Sequence, residues 1–136
     1  MRILLGRGLA LALLVAPNVV RAESVTVRSG VKTRITFHTA ISSRTCQGYG
    51  IVIEILTAPR HGRLTAEPEN LVIPPATSRG GQQVPQCIGK TAAGVAIFYW
   101  SKPGFVGQDS LSYRRSSPND PRDPNAGDIS YTVTVR

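Results

Sequence analysis

The sequence predicts an all-β fold, a single antiparallel sandwich of seven to eight strands held by one disulfide. Short apolar segments with a period of two recur along the chain, which is the period of a half-buried strand. Turns rich in Gly, Pro and Asp separate these segments, and no stretch combines the apolar period of a helix with capping residues. Many short strands divided by turns are typical of a sandwich.

In the first half of the chain we expect strands at Ser24–Arg28, Thr33–His38 and Ile51–Leu56. The first two alternate apolar and polar residues, so each has one face for a core. Ile51–Leu56 is the most apolar run, and we expect it to be a central strand. Two shorter strands are predicted after the following turn, at Gly62–Ala66 and Asn70–Ile73.

The second half begins with Pro74–Gly94, a segment rich in Pro and Gly that predicts a long loop. Val95–Trp100 is apolar throughout and predicts a strand buried on both faces. Ser110–Arg115 and Ile129–Val135 alternate again and predict the last two strands. Between them, the prolines, aspartates and asparagines of Ser116–Asp128 predict an exposed loop.

Residues 1–22 have the layout of a secretory signal peptide. Arg2 and Arg7 precede the apolar segment Gly8–Ala16, and small residues stand before a predicted cleavage site at Glu23. An uncleaved membrane anchor is the alternative, but this run is well short of the roughly 20 residues that cross a bilayer. We expect a mature domain of residues 23–136, without a transmembrane segment, in the periplasm or at the cell surface of a bacterium.

Cys46 and Cys87 are the two cysteines of the chain, and both lie in the predicted exported domain. In an oxidising compartment such a pair predicts one disulfide. The bridge would close a loop of about 40 residues, which corresponds to roughly 3–4 kcal/mol of stability in the chain-entropy model. Free reactive thiols are the alternative; a zinc site would require further ligands at close spacing.

The formal net charge is +8, of which the signal-peptide residues Arg2, Arg7 and Arg21 contribute +3. A basic exported domain suits an envelope protein or an anionic glycan as a partner. Ordinary solvated charge is the alternative. Nucleic acid is not expected, because basic and aromatic residues do not alternate along the chain in the way that a nucleic-acid groove requires.

The residues around two turns resemble a known family. Pro59-Arg60-His61-Gly62, then Tyr99, then Gly104–Tyr113 (GFVGQDSLSY) and a terminal TVTV resemble the bacterial Ig-like/cadherin-like repeat. The resemblance covers about Ile51–Arg136 and implies an Ig-like/cadherin-like sandwich. Such repeats usually stand in tandem arrays of surface adhesins, whereas this chain has a single copy. It departs from the family pattern at Trp100-Ser101, at Leu111, in the long Ser116–Asp128 loop and in its cysteine pair.

The motif residues are expected to shape turns rather than to perform chemistry. Gly104 and Gly107 can adopt the positive φ that tight corners need. Phe105 is expected to close one end of the core, and Asp109 to accept backbone N–H bonds across the turn. The full set of predicted turn residues is Pro59, His61, Gly62, Gly104, Phe105, Gly107 and Asp109.

No catalytic residue, metal ligand or cofactor is predicted, and two alternatives stay open. An envelope hydrolase would combine His61 with a hydroxyl and an Asp, as in a triad. His38 and His61 alone are too few ligands for a transition metal. Cadherin-like modules often bind calcium through loop carboxylates, so a calcium-rigidified structural module is the other alternative. Its candidate ligands are Asn119, Asp120, Asp123, Asn125 and Asp128.

Phe98 and Trp100 flank Tyr99, so they share the outer face of a strand if Tyr99 points into the core. Together with Arg114 and Arg115 they form a candidate patch for a protein or a glycan. A covered outer face is the alternative. The sequence thus predicts an exported, non-enzymatic binding or structural module of the bacterial cell envelope.

Overall fold

The computed structural model describes residues 20–75 and 85–136. Most of the predicted signal peptide and the middle of the predicted long loop therefore lie outside the described residues. Within the described part, no helix is long and apolar enough to cross a membrane. These described residues form seven strands, which confirms the predicted all-β class: β1 (Arg21–Val27), β2 (Thr33–His38), β3 (Val52–Thr57), β4 (Gly62–Val72), β5 (Thr91–Ser101), β6 (Gly107–Ser116) and β7 (Gly127–Val135).

The strands form a sandwich of a four-stranded sheet, in the order β1-β7-β6-β3, and a three-stranded sheet, in the order β2-β5-β4. Neighbouring strands are antiparallel with one exception, because β1 lies parallel to β7 with Arg21 opposite Ile129 and Val27 opposite Val135. The first and last strands thus lie side by side. β7 and β6 are central in one sheet, and β5 is central in the other.

The core lies between the two sheets and is filled by alternate residues of the central strands. Leu111 and Tyr113 of β6 face the interior as their alternation predicts. The same holds for the four apolar residues of β7. On β5, Ile97 and Tyr99 are buried, whereas Phe98 and Trp100 on the other face are only partly buried, so the expectation that Val95–Trp100 is buried on both faces was wrong. The buried core residues are Val27, Ile97, Tyr99, Leu111, Tyr113, Ile129, Tyr131, Val133 and Val135.

The apolar run in Ile51–Leu56 forms an edge strand, not the central strand that its composition suggested. β3 pairs on one side only, with β6, and its side chains Val52, Ile55 and Leu56 are exposed. Its register shifts between Ile55 and Thr57, which interrupts the alternation of inward and outward residues. The composition of a strand shows how apolar it is, but its position in a sheet is set by the strands with which it pairs.

β4 is one continuous strand of 11 residues where two short strands were expected. It pairs with β5 along its whole length, from Gly62 opposite Ser101 to Val72 opposite Thr91. Pro68 interrupts the sequence pattern but not the strand. Because β4 is at the edge of its sheet, a residue without an N–H group is tolerated there.

The predicted disulfide is confirmed: Cys46 and Cys87 are bonded, with their Cα atoms 5.4 Å apart. Cys46 belongs to the loop between β2 and β3, and Cys87 ends a 3-10 helix, Pro85–Cys87, that precedes β5. Both residues are buried. The bridge therefore ties together two loops at one end of the sandwich, which we call the far end.

Candidate functional site

The turn residues converge on the carboxylate of Asp109, which is buried at the start of β6. The backbone N–H groups of Arg60 and His61 and the hydroxyl of Tyr99 each donate a hydrogen bond of 3.0 Å to it. The N–H of Ser110 donates a further one. Burial alone would raise the pKa of Asp109, but these donors together hold it below its ordinary value. Asp109 thus fixes the β3–β4 turn against β6.

The other motif residues complete this corner. The imidazole of His61 stacks on Phe105, with ring centroids 4.2 Å apart, and Phe105 packs against the core. Gly104 and Gly107 have φ angles of +83° and +141°. Gly62 has a different reason to be glycine, since a Cβ there would lie 2.5 Å from the carbonyl oxygen of Trp100. Pro59, partly buried, precedes the two residues that donate to Asp109.

We expect Asp109→Asn to lower the free energy of unfolding by about 2 kcal/mol. The amide places a donor among groups that already donate, so at least one buried N–H or O–H loses its acceptor. Urea denaturation measures the change. The matched control is Asp128→Asn, which removes a solvent-exposed ion pair with Arg114 and is expected to cost less than about 1 kcal/mol. Equal costs for the two variants would contradict the role assigned to Asp109.

Phe98 and Trp100 lie side by side on the outer face of β5, and both are partly exposed. The ammonium of Lys32 lies 4.6 Å from the ring centroid of Phe98 and 5.5 Å from that of Trp100. The guanidinium of Arg63, which is opposite Trp100 in the β4–β5 register, lies 5.9 Å from the same ring. These distances are those of cation–π interactions. We call Lys32, Arg63, Phe98 and Trp100 the aromatic face.

The structure does not bring the two predicted arginines to this face. Arg114 and Arg115 belong to β6, in the opposite sheet. Arg114 is exposed and pairs with Asp128, at 2.7 Å from Nε to Oδ1. Arg115 is 2% exposed. The four-residue patch proposed from the sequence was therefore wrong in its arginines, because adjacency in the chain gives no information about which sheet a strand joins.

The segment after β6 is organised around the buried Arg115 and is not simply the exposed loop that was expected. Arg115 forms an ion pair with Asp123, whose side chain is 4% exposed. Ser117 donates to the same carboxylate at 2.6 Å, and Arg115 donates to the carbonyl oxygen of Thr39 at 3.1 Å. Burial alone would raise the pKa of Asp123, but its hydrogen bonds and the Arg115 charge hold it below the ordinary value.

The candidate calcium ligands form ion pairs and hydrogen bonds with other residues of the protein. Asp123 is paired with Arg115, Asp128 with Arg114, and Asp120 accepts the N–H of Arg122 at 3.3 Å. Asn119 donates its side-chain N–H to the carbonyl of Tyr49, and the backbone N–H of Asn125 donates to Asp123. Across residues 20–75 and 85–136, no three His, Cys, Asp or Glu side chains are grouped as metal ligands.

The two histidines lie at opposite ends of the sandwich and have different partners. Nε2 of His38 lies 2.7 Å from the hydroxyl of Tyr113, beneath the far-end loops. The pKa of His38 is lowered to about 4, mainly by burial and then by the positive charges of Arg115 and Arg21. Its ring is therefore neutral at pH 7. His61 belongs to the opposite end, in the β3–β4 turn.

A shallow concavity of about 330 Å³ lies on the outer face of the four-stranded sheet. Small hydroxyl side chains line most of it, and neither histidine does. The serines and threonines on its wall are Thr57, Ser110, Ser112, Ser130 and Thr132. A hydroxyl nucleophile there would have no imidazole base beside it.

No protein-family model and no curated protein matches the chain. Among solved structures, it is similar to amebosin, with 14% identity and a TM-score of 0.39 over 89% of this chain and 100% of that one. It is also similar to the cysteine protease inhibitor EhICP2 of Entamoeba histolytica, with 16% identity and a TM-score of 0.30 over 86% and 96% of the two chains. Likenesses at this level carry no argument about function.

Proposed function

We propose that this chain is an exported, non-catalytic binding module of the bacterial envelope that contacts a protein partner through the aromatic face. One observation carries the proposal. Phe98 and Trp100 stay partly exposed beside each other, while their neighbours Ile97 and Tyr99 fill the core. Trp and Arg are enriched among the residues that dominate the energy of protein interfaces.

The charges around the aromatic face favour a polypeptide over a uniformly anionic glycan. Lys32 pairs with Glu67 and Arg34 with Glu69, each at 2.6 Å, on the outer side of the same sheet. Aromatic rings framed by charges of both signs suit a partner surface that also presents both signs. A polyanion would meet two carboxylates at this location.

The geometry around His61 disfavours the hydrolase alternative. Asp109 is the carboxylate that holds this turn, and both of its oxygens already accept hydrogen bonds from backbone N–H groups and Tyr99. The ring of His61 stacks on Phe105. Asp109 therefore binds the backbone of His61 rather than orienting its imidazole, which is the task of the acid in a triad.

Export and a bacterial envelope location are part of the proposal. They rest on the predicted signal peptide and are supported by the buried disulfide, because such bonds persist in oxidising compartments. A small sandwich with a disulfide bond presents a preorganised sheet face, which reduces the entropy lost on binding.

We expect Trp100→Ala to weaken partner binding by about fivefold or more, since truncation of an aromatic residue that anchors an interface costs more than about 1 kcal/mol. The oxidised protein is cross-linked in envelope extract, captured proteins are identified by mass spectrometry, and affinity is measured with the purified partner. Tyr49→Ala is the matched control, because Tyr49 is a partly exposed aromatic residue of a far-end loop. A partner retained by Trp100→Ala and lost by Tyr49→Ala would move the binding site to the far end.

A further inference from the structure

Three loops meet at the end of the sandwich opposite the disulfide, which we call the corner end: residues 28–32, 58–61 and 102–106. They are tied to one another by hydrogen bonds. The N–H of Lys102 donates to the carbonyl of His61 at 2.8 Å, and the N–H of Gly30 donates to Ser101 Oγ at 2.9 Å. The turn at Gly30 also lies against Pro103, since a Cβ on Gly30 would be 3.5 Å from its Cα. The corner end is therefore one connected surface.

This surface carries an excess of positive charge. None of the three loops contains Asp or Glu, and the nearest carboxylate on β6, Asp109, is buried and fully hydrogen-bonded. Among the described residues, Lys32 has an ion pair with Glu67, and the other four cations have no carboxylate within 4 Å. These five exposed cations, four in the loops and one at the start of β4, are Arg28, Lys32, Arg60, Lys102 and Arg63.

Two large apolar side chains project from the same loops. Val106 is 68% exposed and Val31 is 48% exposed. Neither belongs to the core cluster. Val31 directly precedes Lys32 in its loop, and Val106 ends the loop that begins at Lys102. An apolar tip surrounded by positive charge is the combination by which peripheral proteins enter the boundary between lipid headgroups and acyl chains. A polysaccharide offers no hydrocarbon layer to cover these valines.

We propose that the corner end docks on the surface of an anionic lipid bilayer. The cations bind lipid phosphates, and Val31 and Val106 enter the headgroup boundary. This inference goes beyond the proposed function, which concerns a protein partner on the aromatic face. Lys32 and Arg63 belong to both surfaces, so the test uses Arg60, Lys102 and Val106, which belong to the corner end alone.

The oxidised protein is sedimented with vesicles of phosphatidylcholine, alone or mixed with phosphatidylglycerol. We expect binding to the mixed vesicles that weakens as salt is added. Each cation near an anionic membrane contributes about a fivefold factor, so Arg60→Gln/Lys102→Gln should lower the partition coefficient by about 25-fold at low salt. Val106→Ser should lower it several-fold at every salt concentration, because its contribution is apolar.

The matched controls lie at the far end: Val72→Ser, at a residue that is 57% exposed, and Arg122→Gln, at an exposed arginine. Both should bind vesicles as the wild type does, and all variants share the same N-terminus. Equal binding to both vesicle types, or equal losses in corner-end and far-end variants, would overturn the proposal. So would retention on heparin without retention on vesicles, which would assign the cations to an anionic glycan. Trp100→Ala should bind vesicles normally even if it loses the protein partner.

Discussion

Asp123→Ala is expected to lower the free energy of unfolding by about 3–5 kcal/mol, because it leaves the charge of Arg115 buried without its partner. Arg115 is 2% exposed, and one of its nitrogens, Nε, is already buried without a hydrogen-bond partner among the described residues. The loss of Asp123 also removes the acceptor of the Ser117 hydroxyl. Urea denaturation followed by the fluorescence of Trp100 measures the change.

Two variants distinguish the effect of the unpaired buried charge on stability from the effect of altering the loop. Asp120→Ala removes a carboxylate of the same loop that accepts the N–H of Arg122, and we expect it to cost about 0.5 kcal/mol. Arg115→Met/Asp123→Leu removes both charges, and it should be more stable than Asp123→Ala alone. A double variant as unstable as the single one would show that the loop requires these residues for their hydrogen bonds rather than for charge balance.

The acid dependence of stability follows from the same pair. The pKa of Asp123 is below its ordinary value of 3.8 in the folded protein, so the unfolded chain takes up the proton first. Its contribution is complete above the ordinary pKa and is lost as the pH falls through the lowered pKa of the folded state. The stability difference between wild type and Asp123→Ala should therefore be constant near neutral pH and shrink below pH 3.8.

His38 makes a second contribution to the acid dependence of stability. It begins at a higher pH than that of Asp123, and it comes from a group that becomes positively charged on protonation. Its pKa falls from 6.5 to about 4 on folding, so the unfolded state binds a proton at a higher pH than the folded state does. Stability from this residue is therefore complete above pH 6.5 and declines between pH 6.5 and about pH 4. The two components occupy successive pH ranges, which lets a pH titration of stability distinguish them.

The sequence predicts the strands well where one face alone is buried. β6 and β7 alternate cleanly because their outer faces are polar, and this alternation predicts that Leu111, Tyr113 and Val133 point inward, as they do. β3 is an exception, because it lies at a sheet edge but has the apolar composition that is expected of a central strand. The order of strands requires knowledge of long-range pairing, which a local pattern does not contain.

The candidate site shows the same limit. Phe98 and Trp100 share a face because they are two residues apart on one strand, and this local relation is readable from the chain. Arg63 reaches the ring of Trp100 from β4, and Lys32 reaches both rings from the loop just before β2, so these contacts depend on the pairings of β2 and β4 with β5. Arg115 looked like an exposed cation because its buried partner, Asp123, lies in a loop with no periodic pattern.

Removal of the disulfide by Cys46→Ser/Cys87→Ser is expected to lower the free energy of unfolding by about 3–4 kcal/mol. The two residues are 41 positions apart, so the bridge restricts a large loop in the unfolded chain. In the folded protein it holds a loop in which Cys46 itself has a positive φ of 61°, a conformation that residues other than Gly seldom adopt. Thermal and urea denaturation of the oxidised and variant proteins measure the effect.

The hydrogen bond from Gln86 Nε2 to the carbonyl of Ser43, at 2.7 Å, joins the same two loops without a covalent link. Gln86→Ala is therefore the matched control, and it should cost about 1 kcal/mol or less. A reductant should lower the stability of the wild type to that of the double variant and leave the variant unchanged. If reduction cost no more than Gln86→Ala, packing would hold the far-end loops, and the bridge would have little part in the stability of the domain.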